Sequence, residues 1–226
     1  MMTENNIYKP EDKGCKELFS MIIYRPIANI MLQRFLKDSS ISPNMVSVTS
    51  LIMALIASYL FYLQDYKYLI LGSFFLNVAY LFDVLDGQLA RYKNMASQFG
   101  RLFDSMLDVI KMSILFLAIS GGIYVQTHNP LVLIWGFIAL SNTFLTCYMM
   151  LGRKLFMQSD SFTVTLKNNV YIGYEVSLYL ILTFFALINS LYIGLLFLAT
   201  LGSLSWIKIF INMYGVHIKS KRNADK

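Results

Sequence analysis

The stretch DVLDGQLARYKNMASQFGRLFDSMLD, running from Asp83 to Asp108, decides how this chain is read. It sets Asp83, Asp86, Gly87, Ala90, Arg91, Gly100, Asp104 and Asp108 in the pattern D-x2-D-G-x2-A-R-x8-G-x3-D-x3-D. Residues 68–82 before it hold no charge, and residues 109–127 after it hold only Lys111. Four carboxylates therefore sit inside sequence built for lipid, where an acid is costly and calls for a partner.

The rest of the composition agrees. Of 226 residues, 57% are hydrophobic and 14% are charged, against about 25% charged in a soluble domain. Mean hydropathy is +0.55. The class implied is a polytopic membrane protein of one domain. At roughly 20 residues per span, the chain has room for about six transmembrane helices. The net charge of +6 is read as marking the cytosolic face and the anionic lipid surface, with no nucleic-acid partner. Cys15 and Cys147 lie far apart with no CxxC spacing, so neither a disulfide framework nor a zinc site is supported. Residues 1–13 are polar and lack an apolar core, so no cleavable signal peptide is expected.

Outward from the motif, the pattern predicts these elements. Residues 1–15 form a flexible N-terminal tail. Residues 16–38 form an amphipathic interfacial helix, its apolar residues interrupted by Lys16, Arg25, Arg34 and Lys37. Pro26 splits it into two short pieces or begins the second. Residues 39–215 form an all-α, six-helix transmembrane domain, with spans at about 44–64, 68–92, 98–122, 131–151, 169–188 and 191–213. Residues 152–168 are the longest polar connection, and 216–226 form a basic cytosolic tail. Basic residues gather at Arg91 and Lys93, at Arg153, Lys154 and Lys167, and in the tail, whereas the opposite side holds only Lys67. That asymmetry predicts cytosolic termini, with the motif at the cytosolic helix ends.

Helical spacing puts the motif on common faces. Asp83, Asp86, Gly87, Ala90 and Arg91 recur at i, i+3, i+4, i+7 and i+8; Gly100, Asp104 and Asp108 recur at i, i+4 and i+8. The second and third spans, joined by a short turn, are expected as antiparallel neighbours with their polar faces meeting. Carboxylates converging in a partly dry site repel one another unless cations neutralise them. Oxygen-only ligands suit Mg²⁺ or Mn²⁺ better than zinc, and two such ions make a clamp for a pyrophosphate undergoing displacement. Gly87, Ala90 and Gly100 remove bulk where a backbone must approach something closely. Arg91 offers a planar fork of donors suited to phosphate.

At every fixed position this segment resembles the signature of the CDP-alcohol phosphotransferase family. The resemblance extends over most of the chain: an amphipathic helix, then six spans, with the signature bridging the second and third. It implies transfer of a substituted phosphate, phosphatidyl or phospho-polar-head, from a CDP-alcohol donor to a hydroxyl acceptor, with CMP leaving. It implies two divalent ions, one on Asp83, Asp86 and Asp104 and one on Asp83, Asp104 and Asp108, with Asp108 also the general base. Gly87, Ala90, Arg91 and Gly100 would line the CDP site. Pro43-Asn44-Met45-Val46-Ser47 is similar to the family's P-N-x-x-T opening of the first span, Ser47 keeping the hydroxyl, which adds Asn44 and Ser47 to the nucleotide site. A homodimer is also implied.

Outside the signature the readings divide. Lys111, three residues after Asp108, is either a counter-ion for the carboxylates or a contact to a substrate phosphate. Arg153, Lys154 and Lys167 are either a positive-inside loop or an acceptor-phosphate pocket. Glu175 either pairs with Arg153 or Lys111 or shapes the acceptor site. Asn142 and Thr143 read as interhelical hydrogen-bond partners, and His128 and His217 as outside the chemistry. A cation or proton transporter would place its acids near mid-membrane on separated helices; here they cluster at the ends of two adjacent ones. The donor is either CDP-diacylglycerol or a CDP-linked polar head of inositol, choline or ethanolamine type.

Overall fold

The computed structural model describes residues 18–157, 165–166, 170–171 and 174–224. Helices dominate. A short helix α1 (Arg25–Met31) is flanked by π-helical turns at Ser20–Tyr24 and Leu32–Leu36. Then come α2 (Pro43–Leu63), α3 (Tyr66–Tyr92), α4 (Gln98–Thr127), α5 (Leu131–Met157), α6 (Tyr174–Leu187) and α7 (Leu191–Ala224). Among the described residues, four helical stretches are long and apolar enough to cross a membrane: Pro43–Leu63, Tyr66–Tyr92, Gln98–Thr127 and Leu191–Gly215. Leu131–Thr146 and Ser177–Leu187 are shorter apolar stretches. Large side chains such as Phe74, Leu117, Phe137 and Ile211 point outward, as lipid-facing residues do. The chain is an integral membrane protein.

Local chemistry sets the helix ends. Ser42 caps α2, accepting from the Met45 N–H at 3.4 Å, with Pro43 in the first turn. Asp65 caps α3 through the Lys67 N–H at 3.0 Å, and Ser97 caps α4 through the Gly100 N–H at 2.9 Å. Gln64, Asn94, His128 and Asn189 all adopt left-handed φ near +54° where one helix gives way to the next.

The N-terminal segment is one continuous helix rather than two pieces. The turn before Pro26 is widened, the Arg25 N–H reaching back five residues to the Ser20 carbonyl. That accommodates a ring that would clash in a regular turn. One face buries Tyr24, Ala28 and Leu32 against α3, while Ile22, Ile30 and Phe35 are exposed. Two further boundaries differ from expectation. The connection before α6 contains a two-residue antiparallel ladder, Thr165–Leu166 with Val170–Tyr171, so α6 begins at Tyr174 rather than near 169; β-branched and aromatic residues favour this extended pairing. α7 runs on to Ala224, well into the expected tail, because basic residues suit a helix C-terminus. Residues 1–15 lie outside the described residues.

The polar faces of α3 and α4 meet through long side chains, but their backbones stay apart. α3 and α4 make almost no close backbone approach to each other among the described residues; each packs along α2 instead. Small residues on α2 explain why: Ser50, Ala54, Ala57 and Ser58 are all buried, and small side chains let helix backbones come close. At the end remote from the motif, a Cβ on Gly72 would lie 3.2 Å from the Phe61 ring, and one on Gly122 would collide with the Tyr62 backbone. α2 is thus the spine on which the two motif helices are mounted.

Candidate active site

The N-terminal end of α2 meets the C-terminal half of α3 and the N-terminal half of α4. α3 supplies Asp83, Asp86, Gly87, Ala90 and Arg91, and α4 supplies Gly100, Asp104, Asp108 and Lys111. One carboxylate oxygen each from Asp83, Asp104 and Asp108 lie within 4.8 Å of one another. Like charges about 4 Å apart repel by about 4 kcal/mol at an effective dielectric near 20. Such a grouping needs positive charge.

Part of it comes from the chain. Lys111 is 3% exposed. Its Nζ lies 2.5 Å from Asp83 Oδ1 and 2.7 Å from Asp108 Oδ1. It also donates to Ser50 Oγ at 3.3 Å, and Ser50 in turn donates to the Ala79 carbonyl at 2.8 Å. Lys111 is thus paired with two of the three clustered carboxylates. Ser50 was not singled out from sequence, because one serine in an uncharged span carries no signal; its fourfold spacing to Ala54 and Ser58 on one α2 face was the available hint.

Asp86 stands apart from the other three acids. It is buried, and its Oδ2 accepts from Ser47 Oγ at 2.5 Å. Ser47 therefore orients a carboxylate, a role the sequence reading had not given it. Asp108 is more open, its side chain 45% exposed against 23% for Asp83. All three acids of the cluster are half-buried, and Asp108 is the more open of this pair.

The nucleotide-site candidates gather at the rim. Asn44 is exposed in the first turn of α2, and Gly100 is in the first turn of α4. A Cβ on Gly100 would come within 4.0 Å of Asn44 Oδ1, so two helix N-termini adjoin, each with N–H groups and a positive dipole end. Arg91 is exposed and folds back over Gly87, where an added Cβ would lie 3.5 Å from its Nη1. Ala90 is half-buried on the same helix. Lys93 Nζ ties the α3–α4 turn to the strand of chain entering α2, donating to the Ser39 and Ile41 carbonyls at 2.7 and 2.8 Å. Beside Asn44 a recess of about 620 Å³ opens between the N-terminal helix and α2, lined by Met31, Phe35, Ile41, Met45 and Phe82.

Arg153 and Lys154 fall on α5 and Glu175 on α6, but their side chains, like the whole of Lys167, lie outside the described residues. Asn142 does bridge helices: its Nδ2 donates to the Ala199 carbonyl at 2.6 Å and its Oδ1 accepts from Trp206 Nε1 at 2.9 Å. The three-carboxylate donor set, all oxygen, fits a hard divalent cation and not a thiophilic one.

The chain is similar to several known proteins. An archaetidylinositol phosphate synthase of Pyrococcus horikoshii is 38% identical over 103 residues, 44% of this chain and 53% of that relative. The match thus spans about half that relative's length. An uncharacterized protein of Aquifex aeolicus is 29% identical over 187 residues, 81% of this chain and 86% of the relative. Among solved structures, the phosphatidylinositol phosphate synthase of Mycobacterium tuberculosis with CDP-DAG bound superposes with a TM-score of 0.65 at 18% identity, covering 85% of this chain and 94% of that one. The same enzyme in complex with manganese and citrate gives 0.63 at 19%, covering 85% and 89%. At such identities the superpositions speak for the fold. The signature helices α3 and α4 fall inside a longer match, residues 40–214, by which the chain belongs to the CDP-alcohol phosphatidyltransferase family.

Proposed function

We propose that this protein transfers a substituted phosphate from a lipid-linked CDP donor to the hydroxyl of a phosphorylated polyol, releasing CMP. The observation that carries the reading is the three-carboxylate cluster on α3 and α4, inside the family match. The apolar recess beside Asn44 favours a donor with acyl or isoprenoid chains over a polar CDP-alcohol. Inositol phosphate is the acceptor favoured by the names of two relatives.

Asp83, Asp104 and Asp108, with Asp86 completing the set, would hold two Mg²⁺ or Mn²⁺ ions. Bound there, such ions supply neutralisation of the pyrophosphate and of the departing CMP. The remaining work belongs to side chains. Arg91 offers its fork to a donor phosphate, and the N-termini of α2 and α4, at Asn44 and Gly100, add N–H donors that need no reorganisation. Ser47 keeps Asp86 in one orientation. Asp108 accepts the proton of the acceptor hydroxyl as that oxygen bonds to phosphorus and the bond from phosphorus to the CMP oxygen breaks. Arg153 and Lys154 sit at the end of α5 and suit the acceptor's own phosphate. The same reading has six spans, a homodimer, and the active site and both termini facing the cytosol.

The test incubates purified protein with CDP-diacylglycerol and a panel of acceptors (inositol phosphate, glycerol phosphate, inositol, serine), reading CMP release and product mass. CMP release that depends on inositol phosphate and is abolished by EDTA is the expected result. Turnover in excess EDTA, or no CMP release with any acceptor, would sink the reading.

A further inference from the structure

The Lys111 ammonium has three donors and finds three acceptors: Asp83 Oδ1, Asp108 Oδ1 and Ser50 Oγ. A lysine that merely snorkels sends its charge to the membrane surface. This one is buried to 3% exposure and turns inward from α4, across α2's Ser50, to an acid on α3. Two of its partners belong to the three carboxylates that lie within 4.8 Å of one another. A divalent ion seeking the same oxygens meets a fixed positive charge already bonded to them.

We propose that Lys111 is a positioning residue that acts as an internal cation on the Asp83–Asp108 edge of the cluster. It keeps the carboxylates assembled before metal arrives. While it stays, one divalent ion binds tightly, and a second enters only by displacing the ammonium. The inference rests on the metal-binding reading of the cluster and adds an inequality between the two ions that this chain's own residue imposes. It also assigns Ser50 a role, as the hydroxyl that aims the ammonium.

The experiment is a Mn²⁺ titration of the purified, detergent-solubilised protein, with free Mn²⁺ followed by electron paramagnetic resonance and thermal unfolding recorded in parallel. The wild type is expected to bind one ion tightly and a second more weakly by about tenfold or more, the scale of ordinary coupling between two binding events. Lys111→Met should bring the two affinities together, and Lys111→Arg should restore the gap. In EDTA, Lys111→Met should unfold below the wild type and gain more from Mn²⁺ than the wild type does. A purely structural lysine would lower stability without changing the isotherm. Superimposable wild-type and Lys111→Met isotherms would overturn the inference and leave the metal reading standing. So would two equally tight ions in the wild type, a result that needs no variant to fold. No Mn²⁺ binding by either protein would overturn both.

Discussion

Asp86 and Asp108 are the same residue type in different surroundings, and the roles proposed for them divide accordingly. Asp108, the more open of the two, can meet a substrate hydroxyl; Asp86 is sealed under α2 with Ser47 on its Oδ2. Asp108→Asn keeps the shape and loses the proton acceptor, so kcat should fall by about 10²–10⁴-fold while CDP binding, followed by calorimetry, persists. Full activity in that variant would remove Asp108 as the base. Ser47→Ala should act indirectly. It strips a hydrogen bond from a buried carboxylate, a loss of about 1–3 kcal/mol, and should raise the Mn²⁺ concentration needed for half-maximal activity by about tenfold. Ser47→Thr should restore it. The meeting of Asp83 with Asp104 and Asp108 was legible in the sequence, because helical spacing puts each set on one face of its span. The partners Ser50 and Ser47 were less so: hydroxyls in a membrane helix have many uses, and only a neighbouring helix shows which one applies.

Elements tell a similar story at larger scale. The four long spans follow from long apolar runs, and the caps of the first three from Ser42, Asp65 and Ser97. What the runs could not convey was which helix packs on which. Lipid gives no hydrophobic drive for pairing, so pairing follows small residues instead, and those on α2 draw in both α3 and α4. Gly122 marks the tightest of these approaches. Gly122→Ala should push α4 off the Tyr62 backbone, an overpacking cost of about 1–3 kcal/mol, visible as a lower unfolding temperature in detergent. Gly215→Ala is the matched control, since nothing lies within 4 Å of its added Cβ. It should be neutral or slightly stabilising, by up to ~1 kcal/mol of helix propensity. Equal effects from the two substitutions would argue against the α2–α4 contact.

For the whole molecule, the carboxylate cluster and its neighbouring basic residues gather at one end. The motif, the rim residues Asn44, Gly100 and Arg91, and Lys93 gather where α2 and α4 begin and α3 ends, while Gly72, Tyr62 and Gly122 mark the far end. Basic residues repeat the bias: Arg91 and Lys93 fall at the motif end of α3 and in the turn after it, and Lys67 at the other end of α3. Basic residues in short loops stay on the cytosolic face. A water-soluble product such as CMP also needs an aqueous exit beside the carboxylates. On the proposed six-span reading, the charge bias puts the motif end in the cytosol and the termini with it. After replacing Cys15 and Cys147 by serine, single cysteines at His128 and Lys226 make this measurable. A membrane-impermeant maleimide should label His128→Cys in sealed right-side-out vesicles and Lys226→Cys in inside-out vesicles only. The reverse pattern would place the active site outside. Labelling of both cysteines from one side would mean an even number of crossings between them, and would break the six-span count at α5, α6 or α7.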